Sequence, residues 1–181
     1  GYVYSSPLQF ASKHCRCDSR IVLAAVKMDG LALQYAADSC KCDRSIVLAA
    51  VQEDAQALKY AAEMCRSDHK LVLDMVKRQP EALRYAALAC RSDPRIILAA
   101  VKLDGDAFQY AGRKCKSDPK LVLAAVREDA RVLTYASDAC KLDPHIVKAA
   151  VEMNGDALRY ASDACKRDRD IVLSAVRRYG C

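Results

Sequence analysis

Hydrophobic and polar positions recur along the chain with a period of 25 residues and without an insertion. Four positions of the pattern hold one kind of residue in all seven copies: an aromatic residue, a cysteine, an aspartate and a valine. In the first copy these are Phe10, Cys15, Asp18 and Val26. Such a period is typical of repeat architectures, and seven copies leave no room for a separate domain. The copies are predicted to end near Met28, Glu53, Arg78, Leu103, Glu128, Met153 and Arg178.

Each copy is predicted to contain two short helices. In the second copy the first helix spans about Gly30 to Cys40, with Asp29 as its N-cap and apolar residues at helical spacing. The second helix begins at the recurring aspartate, because proline follows it directly in three copies, as at Asp93 and Pro94. Aspartate at the N-cap followed by proline is a favoured helix start. Connections of two or three residues make neighbouring helices antiparallel.

Helices of about ten residues are too short to be stable alone in water, so each copy must be stabilised by its neighbours. We therefore predict an all-α fold, an α-solenoid in which seven antiparallel helix pairs form a superhelical stack. This stack is expected to be right-handed, and residues 1–181 are expected to form a single repeat domain.

The repeats also resemble a known family. The stretches LALQYA (Leu31 to Ala36) and DPRIILAAVKLD (Asp93 to Asp104) are similar to the domain of unknown function 4116 family, whose repeats read approximately ALQYAS…RSD..IVLAAV..DG. The resemblance extends from Leu8 to Val176. It implies a helical repeat without an established activity, so no catalytic residue is carried over. The chain departs from the family at one position, where cysteine replaces the usual leucine or other aliphatic residue.

Cysteine is unusually frequent, with ten in the chain, and seven of the ten occupy this one position of the repeat. They follow the alanine stripe of the predicted first helix, where cysteine packs as a small hydrophobic residue. The negative end of a helix dipole also disfavours the thiolate, so we expect mostly unreactive thiols. Equivalent positions in stacked repeats lie about 10 Å apart, too far for a disulfide. This structural column comprises Cys15, Cys40, Cys65, Cys90, Cys115, Cys140 and Cys165.

Three cysteines depart from the repeat and are the candidate reactive or intermolecular thiols: Cys17, Cys42 and Cys181. Cys17 and Cys42 replace the commoner serine, which three of the other copies have, and they create two CxC pairs. An alternative function is therefore a thiol-based repeat protein that binds a metal or a cofactor. However, CxC lacks the spacer of structural zinc sites, and no CxxCH haem motif occurs. We accordingly predict no metal and no cofactor.

The net charge is +6, and a basic residue follows each column cysteine. These residues, with three further cations seven positions earlier, form a candidate interaction ribbon for acidic partners. The alternative is that a cation in the last turn only complements the helix dipole, with its side chain in solvent. Nucleic-acid binding is disfavoured, because the tyrosines are expected to pack between helices rather than to stack on bases. The ribbon comprises Arg16, Lys41, Arg66, Arg91, Lys116, Lys141 and Lys166, with Lys59, Arg84 and Arg159.

Catalysis is not predicted. The three histidines, His14, His69 and His145, occupy unrelated repeat positions, and no phosphate-binding loop or nucleophile elbow occurs. No apolar run exceeds six residues, so no transmembrane segment is predicted, although docking to a membrane complex stays open. Reduced thiols favour an intracellular or organellar setting over a secreted one, without specifying the compartment.

The outer copies keep the internal apolar pattern, with Leu8 and Ala11 at one end and Leu173 and Val176 at the other. Repeat arrays in solution normally end in polar caps, so these ends are predicted to be sticky. They would be covered by further repeats, by a protein partner or by another copy of the chain. We therefore expect a non-catalytic scaffold or protein–protein interaction module. It would act as an accessory or linker subunit of a larger or organellar assembly, or as a self-stacking filament unit.

Overall fold

A computed structural model describes residues 6–179 of the chain, and this range is all-helical, without a β-strand. The helical segments recur with the 25-residue period of the sequence. The all-α repeat architecture is therefore confirmed. The helices are grouped into two compact units, one through Cys90 and one from Arg91 onward. The right-handed superhelix and the single domain stay predictions.

Each repeat begins with a short helical segment that ends at the aromatic position. In five repeats its backbone is capped by an aspartate or asparagine, as where Asp29 Oδ1 accepts a hydrogen bond of 2.9 Å from Leu31 N–H, whereas Ser6 and Gln79 make no such cap. In six repeats the segment is a 3₁₀ helix, and in the remaining one it is a single α-helical turn. The 3₁₀ helices are Pro7–Phe10, Gly30–Tyr35, Ala55–Tyr60, Pro80–Tyr85, Gly105–Tyr110 and Gly155–Tyr160, and the α-helical turn is Val132–Tyr135.

A second short α-helix carries the column cysteine, after a break of two residues. In the second repeat these are Ala36 and Ala37, both extended, with ψ of 155° and 159°. The prediction of one continuous helix from Gly30 to Cys40 is therefore wrong, and a repeat has three helical segments rather than a helix pair. The cysteine-bearing helices are Lys13–Cys17, Asp38–Lys41, Glu63–Arg66, Leu88–Arg91, Arg113–Lys116, Asp138–Leu142 and Asp163–Arg167.

The third segment is the longest helix of each repeat, and it begins where the sequence predicts. Asp43 Oδ1 accepts hydrogen bonds from Ser45 N–H and Ile46 N–H, at 2.8 and 3.3 Å, which confirms the aspartate as the N-cap. The apolar face of these helices supplies much of the core of each unit. These helices are Ser19–Met28, Arg44–Glu53, His69–Val76, Pro94–Val101, Pro119–Glu128, Pro144–Met153 and Arg169–Tyr179.

A backbone hydrogen bond between successive repeats accompanies the break from the second repeat onward, and the first repeat is broken in the same way at Ala11 and Ser12. Ala37 N–H donates to the carbonyl of Arg16 in the preceding repeat at 2.9 Å, so it is withdrawn from its own helix. The bond supplies an acceptor for an amide that the extended conformation leaves without one in its own helix. The first unit repeats this bond at Ala62 to Lys41 and Ala87 to Arg66, and the second at Gly112 to Arg91, Ser137 to Lys116 and Ser162 to Lys141.

Candidate functional site

The column cysteines lie at the junctions between repeats. Six of the seven are buried and belong to the packed interior, as the packing interpretation expects. Cys15, in the first repeat, is half-buried. In the second unit Cys115, Cys140 and Cys165 lie in one core cluster with the apolar helix faces.

Several of these thiols also donate a hydrogen bond across the junction. Cys115 Sγ lies 3.4 Å from the Ser92 carbonyl oxygen, and Cys165 Sγ lies 3.5 Å from that of Leu142. The acceptor is each time the residue 23 positions earlier, at the end of the preceding cysteine-bearing helix. An aliphatic side chain would fill the same space without donating. Sequence reasoning missed this role, although the occurrence of cysteine at this position in every copy was its signal.

Burial favours the protonated form of three column thiols. It is the main cause that raises the pKa of the Cys40, Cys65 and Cys115 thiols above the ordinary value of a cysteine. Neighbouring aspartates add to the increase at all three sites. A neutral thiol is the form that can donate to a carbonyl, so the electrostatics and the geometry agree.

Cys17 and Cys42 are placed at the same junctions, on the acceptor side. Cys17 is exposed and Cys42 is half-buried. Cys40 Sγ lies 3.6 Å from the carbonyl oxygen of Cys17, and Cys65 Sγ lies 3.3 Å from that of Cys42. Between Ser6 and Tyr179, no three or more His, Cys, Asp or Glu side chains are grouped so that they could hold a metal ion. Cys181 lies outside the described residues.

The basic residues that follow the column cysteines are mostly half-buried, and Lys166 is exposed. Arg16 donates to the carbonyls of Ala11 and Gln9, at 3.0 and 2.7 Å. Lys116 Nζ likewise donates to the Gln109 carbonyl at 2.6 Å. The expectation that these side chains point freely into solvent is wrong at Arg16 and Lys116, because each binds carbonyls left open where the 3₁₀ helix of its own repeat ends.

The electrostatics of Lys116 reflect this position. Burial, and then the charge of Arg91, lowers the pKa of Lys116 below that of an ordinary lysine. Apart from Lys166, the exposed part of the ribbon consists of three cations, each of which lies over the ring of the following tyrosine, at 5.1 to 5.6 Å from charge to ring centre. These cations are Lys59, Arg84 and Arg159.

A cluster of one arginine and three aspartates joins two repeats of the second unit. Arg131 pairs with Asp104, Asp106 and Asp129, at 3.0, 2.6 and 2.8 Å. Tyr135 OH donates to Asp106 at 2.8 Å. Burial alone would raise the pKa of Asp129, but the hydrogen bonds of Arg131 hold that pKa below its ordinary value. The cluster therefore links the two repeats through ion pairs and a hydrogen bond.

An apolar groove lies at the outer face of the first repeat. It has a volume of about 1020 Å³, and its lining includes Leu8, Ala11, Cys15 and Ile21. Leu8 is itself buried, whereas Ile21 is 42% exposed. The residue equivalent to Ile21 is buried in each later repeat, namely Ile46, Leu71, Ile96, Leu121, Ile146 and Ile171.

The last repeat exposes apolar residues at other positions of its longest helix. Val176 is 63% exposed, and Leu173 is also exposed on the same helix. The valine equivalent to Val176 is buried in all six earlier repeats: Val26, Val51, Val76, Val101, Val126 and Val151. The first and the last repeat therefore each expose an apolar residue whose equivalents are buried in every other repeat.

The other candidate chemistry is dispersed. His14, His69 and His145 are exposed on separate repeats. In the described part of the chain, no helix combines the length and the apolar character needed to cross a bilayer.

Comparison with known proteins identifies one relationship. Searches of curated proteins and of solved structures find no match. A family model described as Domain of unknown function (DUF4116) matches overlapping segments along the chain: residues 4–41, 18–66, 43–89, 68–114, 93–141 and 143–181. Together these segments span almost the whole sequence, with the repeat period seen in the structure. The chain therefore belongs to the DUF4116 family of helical-repeat proteins.

Proposed function

We propose that this chain is a non-catalytic helical-repeat module that binds protein through the apolar faces of its outer repeats. The observation that carries the proposal is the exposure of Ile21 and Val176 at positions buried in every other repeat. The two faces differ in kind, since one is a groove and the other is a helix surface. An acidic partner for the exposed cations stays a prediction that the proposal does not require.

The partner best matched to these faces is another repeat of the same family. Within the first unit, helix Ser19–Met28 packs against Arg44–Glu53, so an internal repeat offers its predecessor the surface that contains Ile46. Within the second unit, Pro144–Met153 packs against Arg169–Tyr179 through the face that contains Val151. The groove at Ile21 thus corresponds to the apolar surface that an internal repeat presents to the repeat before it.

Head-to-tail association of two copies follows as the specific form of the proposal. The last repeat of one copy would place Val176 against the groove of the next copy. Such a heterologous contact does not close on itself by symmetry and so extends into filaments, unless the rotation forms a ring. An accessory subunit of a larger assembly would use the same faces with a different repeat protein. The continuous right-handed α-solenoid stays a prediction, supported by the recurrence of the same junction within each unit.

Complementation between two variants tests this form. Ile21→Glu places a charge in the groove, and Val176→Glu places one on the opposite face, so each variant alone should stay monomeric in sedimentation velocity. An equimolar mixture retains one intact groove and one intact Val176 face, and should therefore form dimers but nothing larger. Leu103→Glu is the matched control, because Leu103 is similarly exposed at 57% but lies on an internal repeat.

The outcomes separate the alternatives. Loss of association in both single variants, and recovery of a dimer in the mixture, supports head-to-tail binding. A mixture that stays monomeric while the wild-type chain associates contradicts it. Equal loss of association with Leu103→Glu would place the contact elsewhere on the molecule.

A further inference from the structure

The cysteine junctions are of two kinds, and the difference lies in the acceptor residue. At each of four junctions the column thiol lies close to the carbonyl oxygen of the residue 23 positions earlier. In the second unit that residue is Ser92 or Leu142. In the first unit it is Cys17 or Cys42, so two junctions hold a second thiol.

The main-chain geometry brings each such pair close together. Cys40 Sγ is 3.6 Å from the Cys17 carbonyl oxygen, and Cys65 Sγ is 3.3 Å from that of Cys42. Standard bond lengths and the bond angles at Cβ and at the carbonyl carbon then limit the separation of the two Cα atoms to about 9 Å, even if the rest of the path is fully extended. Any bend shortens this distance toward the range of about 4.4 to 6.8 Å that disulfides adopt.

Each pair of thiols is also coupled electrostatically. The charge of a Cys17 thiolate contributes to the raised pKa of Cys40, after the larger effect of burial. Cys42 acts on the pKa of Cys65 in the same way. The pairing joins a CxC cysteine to the column cysteine of the next repeat, and it involves neither the two cysteines of one CxC nor two equivalent column positions.

We propose that Cys17 with Cys40, and Cys42 with Cys65, are two dithiol sites that oxidise to disulfides between successive repeats. The oxidant is a low-molecular-mass disulfide such as oxidised glutathione. The redox sites would cross-link the first repeat to the second and the second to the third. This inference is independent of the proposed binding function.

The chemistry proceeds by two exchange steps. The exposed thiol of Cys17 loses its proton to solvent, and the thiolate attacks one sulfur of the small disulfide. The old S–S bond breaks, and one small thiolate leaves and takes up a proton. Cys40 then loses its proton and attacks the Cys17 sulfur of the mixed disulfide, which releases the second small thiol. Two protein thiols are oxidised, and one small disulfide is reduced to two thiols.

Burial sets the order of these steps. Cys17 is exposed and meets the oxidant first, whereas Cys40 is buried and can only resolve the mixed disulfide from inside the junction. Because burial raises the pKa of Cys40, the resolving step is expected to be the slower one and to accelerate as the pH rises.

Peptide mapping of the full chain tests the assignment directly. Trypsin cleaves after Arg16 and after Lys41, so the two cysteines of each CxC fall on different peptides. After incubation with oxidised glutathione and an acid quench, we expect CDSR linked to the peptide that ends SCK, and CDR linked to YAAEMCR. The intact protein should lose four hydrogens, two for each bond.

Matched variants complete the test. Cys17→Ser restores the residue usual in other repeats and should abolish only the first cross-link, and Cys42→Ser only the second. Ser92→Cys should create a third cross-link, to Cys115, because the junction geometry there is the same. Bonds within a CxC pair, stable glutathione adducts without cross-links, or failure of Ser92→Cys to add a cross-link would each overturn the proposal.

Discussion

Substitution of Cys115 measures what a column cysteine contributes to folding. Cys115 is 5% exposed, and its thiol donates to the Ser92 carbonyl. Cys115→Ala removes one buried sulfur, which costs about 1 kcal/mol of transfer free energy. The residual cavity adds about 0.5 kcal/mol. Loss of the donor to a junction carbonyl adds about 0.5 kcal/mol more. The free energy of unfolding should therefore fall by about 2 kcal/mol.

A comparison of variants separates packing from hydrogen bonding. Cys115→Val fills the space without donating, so it should lose only the contribution of the hydrogen bond, about 0.5 kcal/mol. Cys15→Ala is the matched control in the first repeat, where the cysteine is half-buried, and it should cost less than about 1 kcal/mol.

Urea denaturation of the reduced protein, followed by circular dichroism, provides the assay. The midpoint should shift while the slope stays constant, which indicates a change of stability rather than of the unfolded state. If Cys115→Ala unfolds at the wild-type midpoint, the structural role is wrong. If Cys115→Val is at least as stable as the wild type, the thiol–carbonyl contact contributes nothing.

Three further predictions concern other junctions. Gly30→Ala would place a Cβ against the Ala50 carbonyl oxygen, closer than van der Waals contact allows, so thermal unfolding should show a loss of about 1 to 3 kcal/mol. Arg131→Gln should cost about 1 kcal/mol, less at high salt. The hydrogen bonds and ion pairs of Arg131 lower the pKa of Asp129 in the wild type, so the stabilisation that they give is present at neutral pH and disappears as the pH falls through that pKa. In an acid titration, the free energy of unfolding of the variant should therefore change less with pH in that range. Iodoacetamide should alkylate exposed Cys17 faster than buried Cys115 in the native protein, as peptide mass spectrometry can measure.

The sequence predicts the helices whose start depends on local chemistry. The aspartate N-cap of Arg44–Glu53 lies where the pattern places it, because the cap needs only the carboxylate and the two backbone amides that follow. The break at Ala36 and Ala37 could not be read in the same way. Alanine favours helix, and the competing carbonyl belongs to Arg16, in another repeat.

The chemistry of the junctions was only partly accessible from sequence. The burial of the cysteine column follows from its spacing, but the thiol–carbonyl contact requires the carbonyl of the preceding repeat to be located. The Arg131 cluster did leave a signal that was not used. Asp106 and Arg131 occupy the same repeat position in successive copies, and opposite charges at equivalent positions predict a contact between neighbouring repeats.

The proximity of Cys17 to Cys40 was missed for a similar reason. Alignment of the repeats by sequence places each cysteine opposite the equivalent cysteine of the next repeat, which is 25 residues away. In the structure, the carbonyl at the end of one cysteine-bearing helix instead lies beside the thiol of the next such helix. The two residues in contact are therefore 23 positions apart rather than 25. The CxC cysteines and the column cysteines are thereby brought together.

The central claim, that the outer faces bind further repeats, is tested most directly by sedimentation equilibrium of the reduced wild-type chain over a wide concentration range. The account predicts that the weight-average mass rises continuously with concentration and passes the mass of a dimer. It also predicts that Ile21→Glu abolishes this rise and Leu103→Glu does not. A wild-type chain that keeps the monomer mass at every concentration would contradict the account.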